Sequence, residues 1–308
     1  METKPLGRSG LRVSVVGLGC NNFGMRCDQA QTRAVVAKAL DLGVTLFDTA
    51  DVYGPRGVSE EYLGKALENR RGDIVLATKF AMPMGDSPLQ RGGSRRWVMK
   101  AAEASLRRLG TDYIDLYQMH FPDAGTPIEE TLRALDDLVR QGKVRYLGCS
   151  NFSGWQVVEA AWTAKSASLS PFVSAQNFYN LIERNVEREL VPACNAYGLG
   201  VLPYFPLASG LLTGKYQRGQ AAPAGTRLSA ARFAAALNEK NFDRVEKLAA
   251  FAADAGRSLL ELAIGWLASQ PHVPSVISGA TSPEQVEANV RAAEWKLSAA
   301  ELAKVGEL

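Results

Sequence analysis

The stretch LRVSVVGLGCNNFG, Leu11 to Gly24, decides between two architectures. It starts as a β-branched apolar run and ends among glycines. A doubly wound α/β sheet would carry G-x-G-x-x-G at this first strand-to-helix turn, and Gly17, Gly19 and Gly24 lack that spacing. Just upstream, Arg8-Ser9-Gly10 reads as a hairpin turn, and we expect that hairpin to plug the bottom of a barrel. Downstream, short β-branched runs alternate with stretches of helical period. VTLFDTA precedes SEEYLGKALENR, DIVLATKF precedes SRRWVMKAAEASLRRLG, and YIDLYQMH precedes PIEETLRALDDLVRQG. VRYLGCS, FVSAQ, LGVLPYF and PSVISGA lead in the same way to SGWQVVEAAWTAKS, ERNVERELVPACNAYG, NFDRVEKLAAFAADAG with SLLELAIGWLASQ, and SPEQVEANVRAA. Eight strand-then-helix units without the glycine fingerprint predict a closed (β/α)8 TIM barrel of the α/β class. We expect one domain over residues 1–308, with an N-terminal β-hairpin and long loops at the C-terminal face.

Helix ends support this division. Gly43, Gly110, Gly142 and Gly198 close apolar stripes, Ser94, Ser153 and Ser282 stand at N-cap positions, and Pro127 and Pro283 suit a first turn. Two connections exceed ordinary length, Ala81 to Gly93 and Pro206 to Phe233. Both follow strands, so both belong to the face where barrels carry their sites.

Composition narrows the function. With 46% hydrophobic and 22% charged residues the chain is ordinary globular protein, long enough to bury a core without staples. The balance of 35 basic against 32 acidic residues leaves no nucleic-acid footprint. The short basic runs RRGD, near Arg70, and RGGSRRW, near Arg91, read as solvated surface. Cys20, Cys27, Cys149 and Cys194 have no zinc spacing and read as reduced thiols of a cytoplasmic protein. No apolar window reaches the length of a membrane span, and the N-terminus lacks a signal-peptide core. With two histidines and no clustered carboxylates at strand ends, no metal site is expected.

Four polar residues stand at or just past the ends of successive strands: Asp48 and Tyr53 in FDTADVYG, Lys79 in ATKF, and His120 in YQMH. Period-two alternation puts Val44, Leu46 and Asp48 on one face, Val75, Ala77 and Lys79 on the next strand's, and Ile114, Leu116, Gln118 and His120 on the third's. Taken singly, a strand-end Asp or Tyr is commonly a turn residue, a Lys surface and a His structural. Taken together on three strands they suit proton transfer. A phenol with pKa near 10 is a poor acid alone, and an adjacent ammonium lowers that pKa. Asp48 can hold Lys79 charged, His120 can meet a substrate oxygen, and Tyr53 can protonate an oxygen that is becoming an alkoxide. That chemistry fits reduction of a carbonyl by hydride.

FDTADVYG, ATKF, SLRRLGTDYIDLYQMH, GCSNF, SAQNFYN, PLASGLLTGKY and GATSPEQVEAN follow one another as in the aldo-keto reductases, which the chain resembles over nearly its whole length. It is most similar to the longer-looped branch that includes potassium-channel β subunits and bacterial aldo/keto reductases. The resemblance implies NADPH-dependent reduction of an aldehyde or ketone, reversible, with Tyr53 as general acid and Asp48, Lys79 and His120 supporting it. It also implies that Ser150, Asn151 and Gln176 bond the nicotinamide carboxamide and that Tyr204 stacks on its ring. Leu207, Ser209, Gly210, Leu212 and Lys215 match the segment over the diphosphate, and Arg227 an arginine near the adenosine end. Phe205 stands where the family usually has serine, so a hydroxyl contact there is missing. Gly279, Thr281, Gln285 and Asn289 match the adenosine site of the longer-looped branch. The Lys and Arg that other branches place at the positions of Gly279 and Gln285 are absent, and Ala288 replaces a usual glutamate. Arg227 and Thr281 favour NADPH, with NADH the alternative.

At the mouth, Asn22, Phe23, Phe80, Met82, Met84 and Phe121 are expected to form a largely apolar wall that suits a hydrophobic or medium-sized carbonyl compound as the small-molecule carbonyl or alcohol substrate. The protein would act as a monomer or homo-oligomer, without nucleic acid or membrane. A cofactor-sensing auxiliary subunit with little turnover is the other function the resemblance allows, and the lack of a long extension before the hairpin argues against it.

Overall fold

The computed structural model describes residues 1–223, 225–229 and 235–308. Part of the second long connection, residues 224 and 230–234, lies outside the described residues. Strands β1 (Thr3–Pro5) and β2 (Arg12–Ser14) pair antiparallel as the expected hairpin, with Lys4 opposite Val13. The Leu6 N–H donates to Leu11 O at 2.7 Å across the turn. Gly7 is required there: its φ is +58°, and a Cβ would come within 2.4 Å of Gly198 O and 2.6 Å of Val173 O. The hairpin therefore lies directly on the barrel rim. Leu6 and Val13 are fully buried against Leu46, Val75, Ala77, Leu116, Leu202 and Ile277, the apolar interior of the barrel.

The wall is built from β3 (Val16–Gly19), β4 (Leu46–Asp48), β5 (Val75–Phe80), β6 (Ile114–Met119), β7 (Val144–Ser150), β8 (Phe172–Phe178), β9 (Gly200–Tyr204) and β10 (Val276–Gly279). The order is β10-β3-β4-β5-β6-β7-β8-β9, all neighbours are parallel, and the ladder is open only between β9 and β10. The helices are α1 (Gln29–Asp41), α2 (Tyr53–Arg56), α3 (Val58–Leu67), α4 (Arg95–Leu109), α5 (Ile128–Arg140), α6 (Gly154–Ser166), α7 (Leu190–Tyr197), α8 (Glu239–Asp254), α9 (Leu259–Ala268), α10 (Pro283–Ala292) and α11 (Ala299–Glu307). None is long and apolar enough to cross a membrane among the described residues. The chain thus forms the expected (β/α)8 barrel.

Four details differ from the sequence reading. The first run, read as one strand, breaks at Val15, because the chain must turn from the plug into the wall. Ser14 replaces the interrupted ladder: its Oγ donates to Val16 O at 2.6 Å and accepts from Thr45 N at 2.8 Å. The helix of the sixth strand-then-helix unit, α7, is shorter than its polar pattern suggested and starts at Leu190, so that Pro192 falls in the first turn, where its missing N–H costs nothing. Val44 and Ile114, placed on interior rows, pack with helix-side clusters at the N-terminal ends of their strands. Finally, α11 follows the eighth unit. Its signal was present in Ser298-x-x-Glu301, a reciprocal capping box.

Leu6→Ala should destabilise the protein by about 2–5 kcal/mol, the usual cost of emptying a packed leucine site. Urea denaturation would show it. A loss under about 0.5 kcal/mol, within the range of a surface substitution, would mean that the hairpin does not plug the barrel.

Candidate active site

The turn after β4 brings Asp48, Lys79, Tyr53 and His120 together. Beyond Asp48 the chain keeps following β5: Thr49 N–H donates to Ala77 O at 2.9 Å and Asp51 N–H to Lys79 O at 3.1 Å. Tyr53 N–H then bonds Ala50 O, and the chain folds back through Gly54, at φ +66° and ψ −180°. A Cβ on Gly54 would come within 3.0 Å of both Phe23 O and Ser59 N, which is why a glycine ends this stretch.

Lys79 is fully buried. Its Nζ donates to Asp48 Oδ2 at 2.6 Å, to Thr49 O at 2.9 Å and to Tyr53 Oη at 3.4 Å, which uses all three N–H bonds. The other Asp48 oxygen accepts from Gln118 Nε2 and Gln176 Nε2, each at 2.9 Å. Burial works to lower the Lys79 pKa, but Asp48 and Tyr53 outweigh it and the net shift is upward, so the ammonium persists. For Tyr53 the balance differs from the sequence expectation. Burial raises its pKa, and the opposing pull of Lys79 does not overcome it. The phenol therefore keeps its proton at neutral pH, with a cation in place for the phenolate formed when that proton leaves.

His120 packs edge-on against Tyr53, ring centroids 5.6 Å apart, and its Nδ1 is buried without a partner among the described residues. Burial first, and the Lys79 charge second, hold its pKa down at about 2. The imidazole is neutral and can bond an oxygen without competing for the role of acid.

Behind this group, on the helix side of β5, lies a second buried polar set. Glu60 accepts from Arg108 Nε at 2.7 Å and from Thr78 Oγ1 at 2.5 Å. Among the described residues, Asp51 and the Tyr117 hydroxyl are buried with no hydrogen-bond partner to their side chains. Burial, then the Glu60 charge, push the Asp51 pKa well up, against weaker downward pulls from Arg108 and Lys79. Arg108 balances only Glu60, and Asp51 is the neutral acid.

Asp48, Tyr53 and His120 face a cavity of about 680 Å³ at the C-terminal end of the barrel, within the usual range for small-molecule sites. Ser150, Asn151 and Gln176, at the ends of β7 and β8, line it beside them. Tyr204, Phe205, Leu207, Ser209, Gly210, Lys215 and Arg227 line a second side, and Gly279, Thr281, Gln285 and Asn289 a third. Asn151 Nδ2 donates to His120 O at 2.9 Å, and its Oδ1 accepts from Tyr204 Oη at 2.8 Å, joining the two groups. Tyr204 lies flat against Phe178, centroids 5.7 Å apart. Ala208, Ser209 and Gly210 all have positive φ, so this segment curls tightly over the cavity.

Some expected residues fall elsewhere. Lys79 and Leu212 are buried away from the cavity, Lys79 beneath Tyr53 and Leu212 in the core. Asn22 and Phe121 line the cavity, but Phe23, Phe80 and Met82 do not. The alternation that points Lys79 inward points Phe80 outward, where it stacks on Tyr117 at 4.8 Å, and Phe23 packs under the first loop. Arg26 was not foreseen. It lines the cavity and donates to Gly225 O at 3.0 Å, and its signal was a basic residue in the loop after the first barrel strand. Among the described residues no three His, Cys, Asp or Glu side chains are placed to hold a metal.

The family model described as "Aldo/keto reductase family" matches residues 15–308. A probable voltage-gated potassium channel subunit beta from Oryza sativa subsp. japonica is 40% identical over 95% of this chain and 91% of its own. An uncharacterized oxidoreductase of Bacillus subtilis is 39% identical over 96% and 92%. The L-glyceraldehyde 3-phosphate reductase of Escherichia coli is 34% identical over 95% and 87%.

The perturbed acid Asp51 and the perturbed base His120 act oppositely on stability. The Asp51 pKa is raised by folding, so its contribution is whole below the unfolded value near 3.9 and declines as pH rises toward the folded one. Asp51→Asn should therefore gain on the wild type as pH rises from 4.5 to 8, by about 1.4 kcal/mol for each pKa unit by which folding raises Asp51. Urea denaturation at both pH values reads the difference, and a gap independent of pH would contradict a neutral Asp51. The lowered His120 pKa contributes stability above about 6.5 that is lost as pH falls. Its imidazole proton resonance should not titrate between pH 8 and 5, and a midpoint near 6.5 would exclude the burial described.

Proposed function

Because the chain belongs to the aldo/keto reductase family, we propose that it is an NADPH-dependent oxidoreductase that interconverts an aldehyde or ketone and the corresponding alcohol, with Tyr53 as proton donor. The observation that carries this reading is the contact of the Tyr53 hydroxyl with the Lys79 ammonium, itself held by Asp48, beside a neutral His120 at the floor of the cavity.

The cavity suits a nicotinamide nucleotide. Ser150, Asn151 and Gln176 offer donors and acceptors to a carboxamide, and the Tyr204 ring, backed by Phe178, offers a face to an aromatic ring. Gln176 already gives an N–H to Asp48, which leaves its Oε1 for this task. The curled backbone at Ala208–Gly210, with Lys215, suits a diphosphate, and Arg26, Arg227 and Thr281 suit a further phosphate, which favours NADPH over NADH. When bound, the nucleotide supplies the hydride.

The residues of the chain supply the rest. The substrate oxygen is held between Tyr53 Oη and the His120 imidazole. Tyr53 gives its proton to that oxygen as negative charge builds there. Lys79 stabilises the resulting phenolate, and Asp48 keeps Lys79 charged and aimed. In the alcohol-to-carbonyl direction the same phenolate takes the proton back. The free, buried cysteines accord with a cytoplasmic setting.

A second reading, a nucleotide-sensing auxiliary subunit with little turnover, draws support from the similarity to the Oryza sativa protein. A panel of aldehydes, ketones and sugars with NADPH and NADH separates the two, since the sensor would bind NADPH tightly and consume none. For the enzyme, Tyr53→Phe should lower kcat about 10²- to 10⁴-fold with NADPH affinity retained, and Lys79→Met should resemble it. Unchanged turnover in Tyr53→Phe would remove it from the acid role.

A further inference from the structure

Beside the main cavity lies a second one of about 440 Å³, between the long connection after β5 and the loop after β6. Phe121 lines both, so its ring is the partition between them. That ring stacks on His120, centroids 5.5 Å apart, and His120 in turn touches Tyr53. The annex is thus two ring contacts from the reacting oxygen's position. Phe121 is 45% exposed, so its ring is open to both cavities.

The annex has an apolar body and a cationic edge. Pro88, Leu89, Phe121 and Pro122 form the body, and Arg91 and Arg96 stand on the edge. Neither arginine has a carboxylate within ion-pair distance among the described residues. Arg96 gives one long hydrogen bond, 3.4 Å, to Leu89 O, which leaves most of both guanidinium forks open. Asp123 also borders the annex. Burial works to raise its pKa, but hydrogen bonds from the walls and the Arg91 charge outweigh it and hold the pKa down. Its oxygens accept from Gly93 N–H at 2.8 Å, Gly125 N–H at 2.9 Å and Thr126 Oγ1 at 2.8 Å, which fixes the walls. The lining thus sets two guanidinium groups against one carboxylate whose oxygens already take three donors, and its net charge favours an anion. These two arginines belong to the run RGGSRRW, whose sequence alone indicated only solvated surface.

Resting on the reductase reading for the reaction itself, we propose that the annex binds the anionic end of the substrate. The substrate class is then a carbonyl compound with an apolar or aromatic stem that ends in a carboxylate or phosphate several bonds from the carbonyl. The carbonyl lies at Tyr53 and His120, the stem crosses the Phe121 edge, and the anion meets Arg91 and Arg96.

The test compares 4-carboxybenzaldehyde with 4-methylbenzaldehyde, near-equal in shape and different in charge. The wild type should prefer the carboxylate by kcat/KM, through KM. Arg91→Gln/Arg96→Gln should lower kcat/KM for the carboxylate about 10- to 100-fold more than for the methyl compound, the range for charge-assisted hydrogen bonds. Equal effects on both, or no preference in the wild type, would overturn the annex while leaving the reductase reading intact. Should neither aldehyde be reduced, that result counts against the reductase reading alone, which the wider panel decides. Calorimetry with 4-carboxybenzyl alcohol then still decides the annex. Binding by the wild type that weakens at least tenfold in the double variant supports it, and absent or unchanged binding overturns it.

Discussion

The site depends on one buried ion pair. Lys79 and Asp48 lie where an apolar barrel interior ends, with side-chain exposures of 0% and 3%. Taking two charges out of water costs several kcal/mol each, and their attraction offsets this only when the remaining donors and lone pairs are also satisfied. Here they are: the three Lys79 N–H bonds go to Asp48, Thr49 O and Tyr53, and the second Asp48 oxygen takes both glutamine amides. Tyr53 completes the coordination of a cation that could not otherwise be buried, and Gln118 and Gln176 have the same function for the anion. Positioning the Tyr53 hydroxyl and stabilising the barrel top are one arrangement, and removing either ion would strand the other.

The same interior shows why the candidate site lies at one end only. The hairpin fills the opposite end with Leu6 and Val13, so the barrel axis passes from an apolar plug through an apolar layer to the ion pair and then to the cavity. Water reaches the site from one side. That asymmetry holds His120 neutral and Tyr53 protonated, because burial opposes charge on each. The second polar set, with Asp51, Glu60 and Arg108, lies behind β5 and extends the low-polarity environment outward. Its single cation is matched to Glu60, and so Asp51 can remain there only as a neutral acid.

The amino-acid order by itself determined the eightfold alternation, the absence of a dinucleotide fingerprint, the hairpin, and the strand-end positions of Asp48, Lys79 and His120. These are local matters, since period two assigns faces and glycine assigns turns. It also named most of the side chains that line the cavity. Tertiary structure alone decided the sign of the balance on Tyr53, where burial exceeds the pull of Lys79, and the removal of Phe23, Phe80 and Leu212 into the core. It alone decided that Arg26 reaches the cavity and that Arg91 and Arg96 border a second one. The physical reason is common to all of these. A pKa or a cavity wall depends on what distant segments exclude from a point in space, and spacing along the chain carries no record of water excluded.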